Sequence, residues 1–252
     1  MKTAGSPKNA RDIVLVHSSD VHVDARPLPG MAPQQGAAML AAVFEASRRL
    51  RADLILLAGD TFDSHRQPDA LIEQAVALIA AAGAPVVILP GNHDPIVPGC
   101  VYQRMGAAPN LHVLGLTHEE AVVFDALDLE VWGRPHRDYI DMIPLERTRR
   151  RRTRWQIAMA HGHYQPVPDR STRLRPSWLI GDEELAATGS DYVALGHWNR
   201  AASVGDGRVR AHYSGSPDYA ESVNVVRLAG DGRVQVSCSP VNGAASAIMG
   251  KR

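Results

Sequence analysis

Five short stretches of the chain carry the side chains best suited to chemistry. They are Asp20-Val21-His22, Gly59-Asp60-Thr61-Phe62-Asp63, Gly91-Asn92-His93-Asp94, His161-Gly162-His163 and Gly196-His197-Trp198-Asn199. Imidazole and carboxylate together suit divalent ions such as manganese, iron or zinc. No cysteine takes part, which argues against a structural zinc cage. A carboxylate such as Asp60 can bridge two ions. Two ions about 3.5–4 Å apart can share a hydroxide and clamp the oxygens of a phosphoryl group during in-line displacement.

Each stretch follows an apolar run that reads as a strand. Ile13–Val16, Asp53–Ala58, Pro85–Leu89, Gln156–Ala160 and Tyr192–Leu195 lead into them in order. In the first third, helical patterns separate the runs, Gln34–Leu50 and a second helix opened by Pro68. That rhythm predicts a parallel sheet covered by helices. Ligands gather at the carboxyl ends of such strands, because the loops there converge over one edge. After Asn110 the spacing tightens, and His112–Leu114, Val122–Phe124 and Leu127–Trp132 read as an antiparallel meander. Val209–Tyr213, Asn224–Leu228 and Val234–Ser239 add strands, and Asp182–Ala187 a short helix. The expectation is one α/β domain over residues 1–252 whose second half contributes a second sheet. Residues 1–10 and 240–252 are expected to be flexible ends, and Pro166–Pro176 a surface loop.

Composition narrows the class. A chain of 252 residues, 45% of them hydrophobic, can build a core without staples. Its 27 basic and 27 acidic residues balance, against a nucleic-acid coat or a membrane-surface protein. Two cysteines, Cys100 and Cys238, cannot make a disulfide framework and suit a reducing cytoplasm. The first residues lack the apolar stretch of a signal peptide. The longest apolar run, Ala75–Leu89, is broken by Gly83 and Pro85 and is too short for a bilayer. Neither G-x-G-x-x-G nor G-x-x-x-x-G-K-[ST] appears, so a pure nucleotide-binding module is a poor reading.

The ordered series D-x-H, G-D-x-x-D, G-N-H-D, H and G-H resembles the calcineurin-like metallophosphoesterases, from Ile13 to about Pro217. LLAGDTFD, LPGNHD and DYVALGHW, with Tyr213–Pro217, look most like the SbcD-type DNA repair exonuclease branch and its stand-alone relatives. The resemblance implies a four-layer α/β fold, two mixed β-sheets packed as a sandwich with helices outside. It implies two divalent ions, Mn²⁺ foremost with Fe or Zn as alternatives. The implied reaction is hydrolysis of a phosphodiester or phosphomonoester by a hydroxide bridging the ions, with DNA or a nucleotide among the candidate substrates. Asp20 and His22 would bind the first ion, Asp60 both, and Asn92, His161 and His197 the second. His93 would donate the proton to the leaving oxygen, oriented by Asp63. The family's last motif usually ends in a second histidine where this chain has Asn199. The first site would then be completed by Asn199, by water or by His163. Asn199 also motivates an alternative, a non-catalytic phosphate-binding or scaffold protein on a degenerate version of the fold. Nothing in the sequence points to a membrane or to a particular protein partner.

The other polar residues receive plainer readings. Asp94 is expected to brace its loop, and His17 to be a hydrogen-bonded core residue. His112, His118, His136 and His212 are read as surface or strand residues. Gly59, Gly91, Gly162 and Gly196 are read as serving sharp turns. The arginines Arg147, Arg149, Arg150, Arg151, Arg152 and Arg154 read as a solvated face or mobile loop, with contact to a phosphate backbone as the alternative.

Overall fold

A computed structural model describes residues 11–24, 36–106, 108–171 and 176–242. β1 (Ile13–Ser18), β2 (Leu54–Ala58), β3 (Val86–Leu89) and β4 (Leu111–Val113) lie side by side and parallel. Between them run α1 (Ala38–Arg49), α2 (Asp69–Ala80) and the single turn α3 (Val101–Arg104). The chain then builds a second sheet from β5 (Ala121–Phe124), β6 (Leu129–Gly133), β7 (Trp155–His161), β8 (Tyr192–Gly196), β9 (Ala202–Val204) and β10 (Ala211–Tyr213), with α4 (Asp182–Ala187) before β8. It finally returns, and β11 (Ser222–Leu228) and β12 (Val234–Pro240) extend the first sheet, β11 pairing antiparallel with β1. The sheet orders are β12-β11-β1-β2-β3-β4 and β5-β6-β7-β8-β10-β9.

Alternation along the strands explains the layers. In β2, Leu54, Leu56 and Ala58 face the second sheet, while Ile55 and Leu57 face the helices. In β7, Trp155, Ile157 and Met159 face the first sheet, while Ala158 and Ala160 face outward. All these side chains are buried, which is why the strands read as unbroken apolar runs. Two mixed six-stranded sheets thus pack face to face as a sandwich. α1 and α2 cover the first sheet, and α4 with the buried Leu145 and Ile180 covers the second. Among the described residues no helix is long and apolar enough to cross a membrane.

Several expectations change here. β4 is no part of a meander: it joins the first sheet parallel to β3, and of the three expected meander strands β5 and β6 alone pair antiparallel. α1 begins at Ala38 rather than Gln34, and residues 25–35 lie outside the described residues. So do residues 172–175 of the expected 166–176 loop, residues 1–10, and 243–252 of the expected tail. At the inner limit of that tail, Pro240 ends β12 and Val241 is buried.

Part of the arginine run is a brace: Arg149, Arg151, Arg152 and Arg154 are tied to the sheet, while Arg147 and Arg150 are exposed. β6 and β7 are parallel, so the chain must return along the outside of the sheet, and residues 134–154 do so without a helix. Beneath them Glu130, pointing outward from β6, is fully buried. Arg149 Nε reaches its Oε1 at 2.8 Å, Arg152 binds the same oxygen, and Gln156 Nε2 lies 3.2 Å from Oε2. Arg151 bonds to Asp191 at 2.7 Å, and Arg154 lies over the Trp155 ring. These contacts sit where β7 starts. Its other end, His161, is about 20 Å away at ~3.3 Å per residue.

Burial alone would raise the Glu130 pKa, but the guanidinium groups of Arg152 and Arg149 overcome it and hold it below the ordinary glutamate range. A depressed folded pKa stabilises above the unfolded value, and the gain disappears as pH falls through the folded one. The double substitution Arg149→Ala/Arg152→Ala leaves a buried carboxylate uncompensated, and urea unfolding at neutral pH should show a loss of about 3 kcal/mol. That deficit should shrink on acidification below the glutamate range.

Candidate metal centre

The five polar stretches leave β1, β2, β3, β7 and β8 at one edge of the sandwich. The loops after β1 and β2 are zipped together by main-chain bonds. Asp20 N–H donates to Gly59 C=O (3.0 Å), His22 N–H to Asp60 C=O (3.1 Å) and Val23 N–H to Thr61 C=O (2.9 Å). Asp20, His22 and Asp60 all sit in the left-handed backbone region, with φ of 53°, 50° and 51°, and His197 has φ 108°. Such conformations cost roughly 1–3 kcal/mol each and gather at functional sites.

Ligand-type atoms converge in two sets that share one residue. Asp20, His22 and Asp60 form one group, and Asp60, His161 and His197 another, each with its nitrogen and oxygen atoms within 4.8 Å of one another. Asn92 Oδ1 joins the second set, 3.0 Å from His161 Nε2 and 3.2 Å from His197 Nδ1. His161 Nε2 lies 3.1 Å from Asp60 Oδ2. A third group contains His22, Asp63 and His93.

The orientation of His161 is set across the two sheets. Its Nδ1–H donates to the Ala58 carbonyl at the end of β2 (2.9 Å), which turns Nε2 toward Asp60 and Asn92. Three glycines make room. A Cβ on Gly59 would lie 2.0 Å from His161 Nδ1, one on Gly91 2.2 Å from Asp60 Oδ1, and one on Gly196 1.9 Å from the Ala58 oxygen. Only Gly59 of these three has a positive φ, 92°, so Gly91 and Gly196 serve close approach rather than a turn. A Cβ on Gly162 would likewise strike the Trp178 carbonyl, at 2.0 Å.

The electrostatics favour a cation. Asp20 and Asp60 are each 2% exposed and face the fully buried His161. Burial pushes the Asp20 carboxyl up, whereas His161 pulls Asp60 down against its own burial. Burial disfavours the imidazolium of His161, yet Asp60 and Asp20 raise its pKa to about 9. With two carboxylates at one dry edge, a proton on His161 supplies the positive charge that a divalent ion would. Burial and then His161 lower His197 to about 3, which keeps its imidazole neutral with a lone pair free to ligate. The mixed nitrogen and oxygen donor set therefore fits divalent metal ions.

The remaining expected residues fall at different distances from this centre. His93 is exposed, and its main-chain N–H donates to Asp60 Oδ1 (2.9 Å). Its Nδ1 lies 3.1 Å from the Asp63 carbonyl and 3.8 Å from the Asp63 carboxylate, which is nearer His22 Nδ1 at 3.3 Å. Asp63 thus approaches His93 more closely through its backbone than through its carboxylate. Asp94 braces the loops, accepting N–H bonds from Phe62 and Gly91 and the O–H of Tyr102. His163 is exposed and pairs with the Trp198 indole, and the Asn199 side chain is exposed. His17 is buried with Nδ1 2.9 Å from Tyr192 Oη, as expected of a core histidine.

His136 overturns the plain reading. It is fully buried, and its Nε2–H donates to the main-chain carbonyl of His161 (3.0 Å). Burial, followed by the charge of His161, lowers its pKa to about 4. It follows β6 much as the other site residues follow their strands, so the strand-end rule would have found it. Trp178 carries no such signal in the sequence; its ring packs edge-on near His136 and His197, and its indole N–H donates to Ile140 C=O.

Known proteins resemble this chain to different extents. The SbcD subunit of the nuclease SbcCD from Bacillus subtilis (strain 168) is 28% identical over 220 residues, 69% of this chain and 56% of that protein. The DNA double-strand break repair protein Mre11 of Aeropyrum pernix is 36% identical over 85 residues, 32% of this chain and 20% of that one. The chain thus spans little more than half of the first relative and a fifth of the second. Among solved structures, a putative 5'-nucleotidase from Staphylococcus aureus in complex with alpha-ketoglutarate superposes with a TM-score of 0.62 at 16% identity, over 93% of this chain and 55% of that one. TT1561 of Thermus thermophilus gives 0.57 at 14% identity, over 91% and 99%. These two likenesses speak for the fold alone. The sequence model of the calcineurin-like phosphoesterases matches residues 13–201, from the first strand through all five polar stretches, and the chain belongs to that family.

Proposed function

We propose that this phosphoester hydrolase cleaves a phosphodiester of a nucleotide or nucleic acid at a centre of two divalent ions, Mn²⁺ foremost. The observation that carries the reading is Asp60, which is common to both ligand groups. Asp20 and His22 would hold one ion with Asp60, and Asn92, His161 and His197 the other. Ions bound there would polarise the phosphoryl oxygens and supply a water-derived nucleophile at neutral pH. The names of the relatives, a nuclease subunit and a DNA repair protein, favour a nucleotide or nucleic acid. Free Cys100 and Cys238 accord with a cytoplasmic setting.

The chain's own residues then have distinct tasks. The Asp60 carboxylate accepts a hydrogen bond from the His93 main-chain N–H, which ties the His93 loop to the ligand set. His93 Nδ1–H donates to the Asp63 carbonyl, leaving Nε2 to carry the proton passed to the leaving oxygen. The Asp63 carboxylate lies between the His22 and His93 rings, 3.3 Å from His22 Nδ1 and 3.8 Å from His93 Nδ1, and would orient both.

Hydrolysis of bis(nitrophenyl) phosphate should require Mn²⁺, stop on chelation and return when the ion is restored. Asp60→Ala should abolish both turnover and binding of the second ion in calorimetry. A protein that binds no Mn²⁺ and turns nothing over is instead the non-catalytic scaffold.

His93→Ala should keep its metal content and lose roughly 10²–10⁴-fold in turnover of an alkyl ester. The loss should be smaller with a nitrophenyl leaving group, which needs no proton. Equal losses on the two esters would remove His93 as the leaving-group acid.

A further inference from the structure

We propose that His163 is a fixed hydrogen-bond donor to a phosphoryl oxygen of the substrate and not a ligand to the metal. The inference rests on the phosphoesterase reading above. Trp198 lies flat on Tyr213, with ring centroids 4.3 Å apart and planes 9° apart. Tyr213 is buried, and its O–H donates to the carbonyl of Gly162, the residue between His161 and His163. The indole is therefore held in place from below, and its Nε1–H donates to His163 Nδ1 at 3.0 Å.

An indole nitrogen can only donate. His163 Nδ1 is thus an acceptor, and a neutral imidazole in this contact carries its proton on Nε2. A histidine that ligates a metal through Nε2 carries its remaining proton on Nδ1, so two N–H groups would then face each other. Ligation through Nδ1 is blocked because the indole proton occupies that lone pair. Completion of the first metal site falls to Asn199 or to water.

The backbone holds the imidazole where it can reach a substrate. His163 N–H donates to Trp178 C=O (3.1 Å), and Ile180 N–H donates to His163 C=O (2.9 Å). The side chain is exposed, and its ring centroid is 6.4 Å from that of His197. Its free polar atom is an N–H beside a metal-ligand histidine, at the edge where the strand-end loops converge. A phosphoryl oxygen, rich in lone pairs and gaining charge during displacement, is the acceptor that suits such a donor. His93 reaches the centre from the loop after β3, so the two histidines arrive from different sheets.

The test uses the full chain loaded with Mn²⁺ and a dinucleotide diester as substrate. In His163→Ala, kcat should fall about ten- to a hundredfold, less than the roughly 10²–10³ of a buried oxyanion donor. Mn²⁺ affinities measured by calorimetry should stay as in the parent. His163→Gln, whose amide also donates, should recover part of the loss. Trp198→Phe keeps the ring against Tyr213 but removes the indole proton, and should lower kcat less than His163→Ala does. A drop of about tenfold or more in Mn²⁺ affinity on His163→Ala would tie His163 to metal binding, directly or through a ligand, and overturn the inference. An unchanged kcat in His163→Ala overturns it as well, while leaving the phosphoesterase reading intact. A parent protein that neither binds Mn²⁺ nor turns over the substrate overturns both.

Discussion

The hydrogen bond from His161 to Ala58 is the contact on which the rest of the site depends. It crosses from β7 in the second sheet to β2 in the first, so the two halves of the sandwich meet in one imidazole. The distance is short enough only because Gly59, Gly91 and Gly196 carry no side chains where the ring, the Asp60 carboxylate and the strand ends crowd together. A buried imidazole with one nitrogen committed to a carbonyl presents the other in a single direction. That direction is toward Asp60 and Asn92, and the second ligand group is arranged around it.

The first group depends on strain instead. Asp20, His22 and Asp60 adopt left-handed backbone that bulky residues avoid, and they keep it because the loops after β1 and β2 are laced by three main-chain bonds. The lacing continues the parallel pairing of β1 with β2 beyond the strands themselves, up to the bridge between Val23 and Phe62. Asp94, clamped by Phe62, Gly91 and Tyr102, then ties the β2 loop to the β3 loop. Two buried carboxylates are thus forced together at a dry edge, where Coulomb repulsion is strong and a cation relieves it. Rigid backbone and unfavourable charge are complementary here: the first prevents the carboxylates from escaping the second.

The opposite end of the second sheet is built for a different purpose. The crossover from β6 to β7 has no helix to lay an apolar stripe on the sheet, so Glu130 faces outward and is covered by guanidinium groups. Ion pairs thus join apolar packing at that end, while the candidate metal centre sits at the far ends of the same strands. Arg149, Arg151, Arg152 and Arg154 therefore serve the fold, a role that their clustering in the sequence does not reveal.

Most of the fold and the candidate site residues were legible in the sequence for one reason. Strands buried on both faces must be apolar throughout, so polar residues appear abruptly where a strand leaves the core. Asp20, Asp60, Asn92, His161 and His197 each mark such an exit, and the converging edge of a parallel sheet brings exits together whatever their sequence separation. By itself the sequence determined a parallel sheet covered by helices in the first part of the chain, a second sheet from the later strands, and which polar side chains follow the strand ends. Other features depend on distances between segments that are far apart in the chain. His136 follows a strand end as the others do, but its partner is a backbone carbonyl, which carries no residue identity in the sequence. β4 looks like a meander strand because three residues cannot record which sheet they join. Gly91 and Gly196 look like turn residues because a glycine needed for close approach has the same letter as one needed for a turn. The tautomer of His163 and the burial of Glu130 under arginines are of the same kind. Tertiary structure alone decided them, because hydrogen-bond direction and desolvation are properties of neighbours, and the sequence lists residues without saying which ones are neighbours.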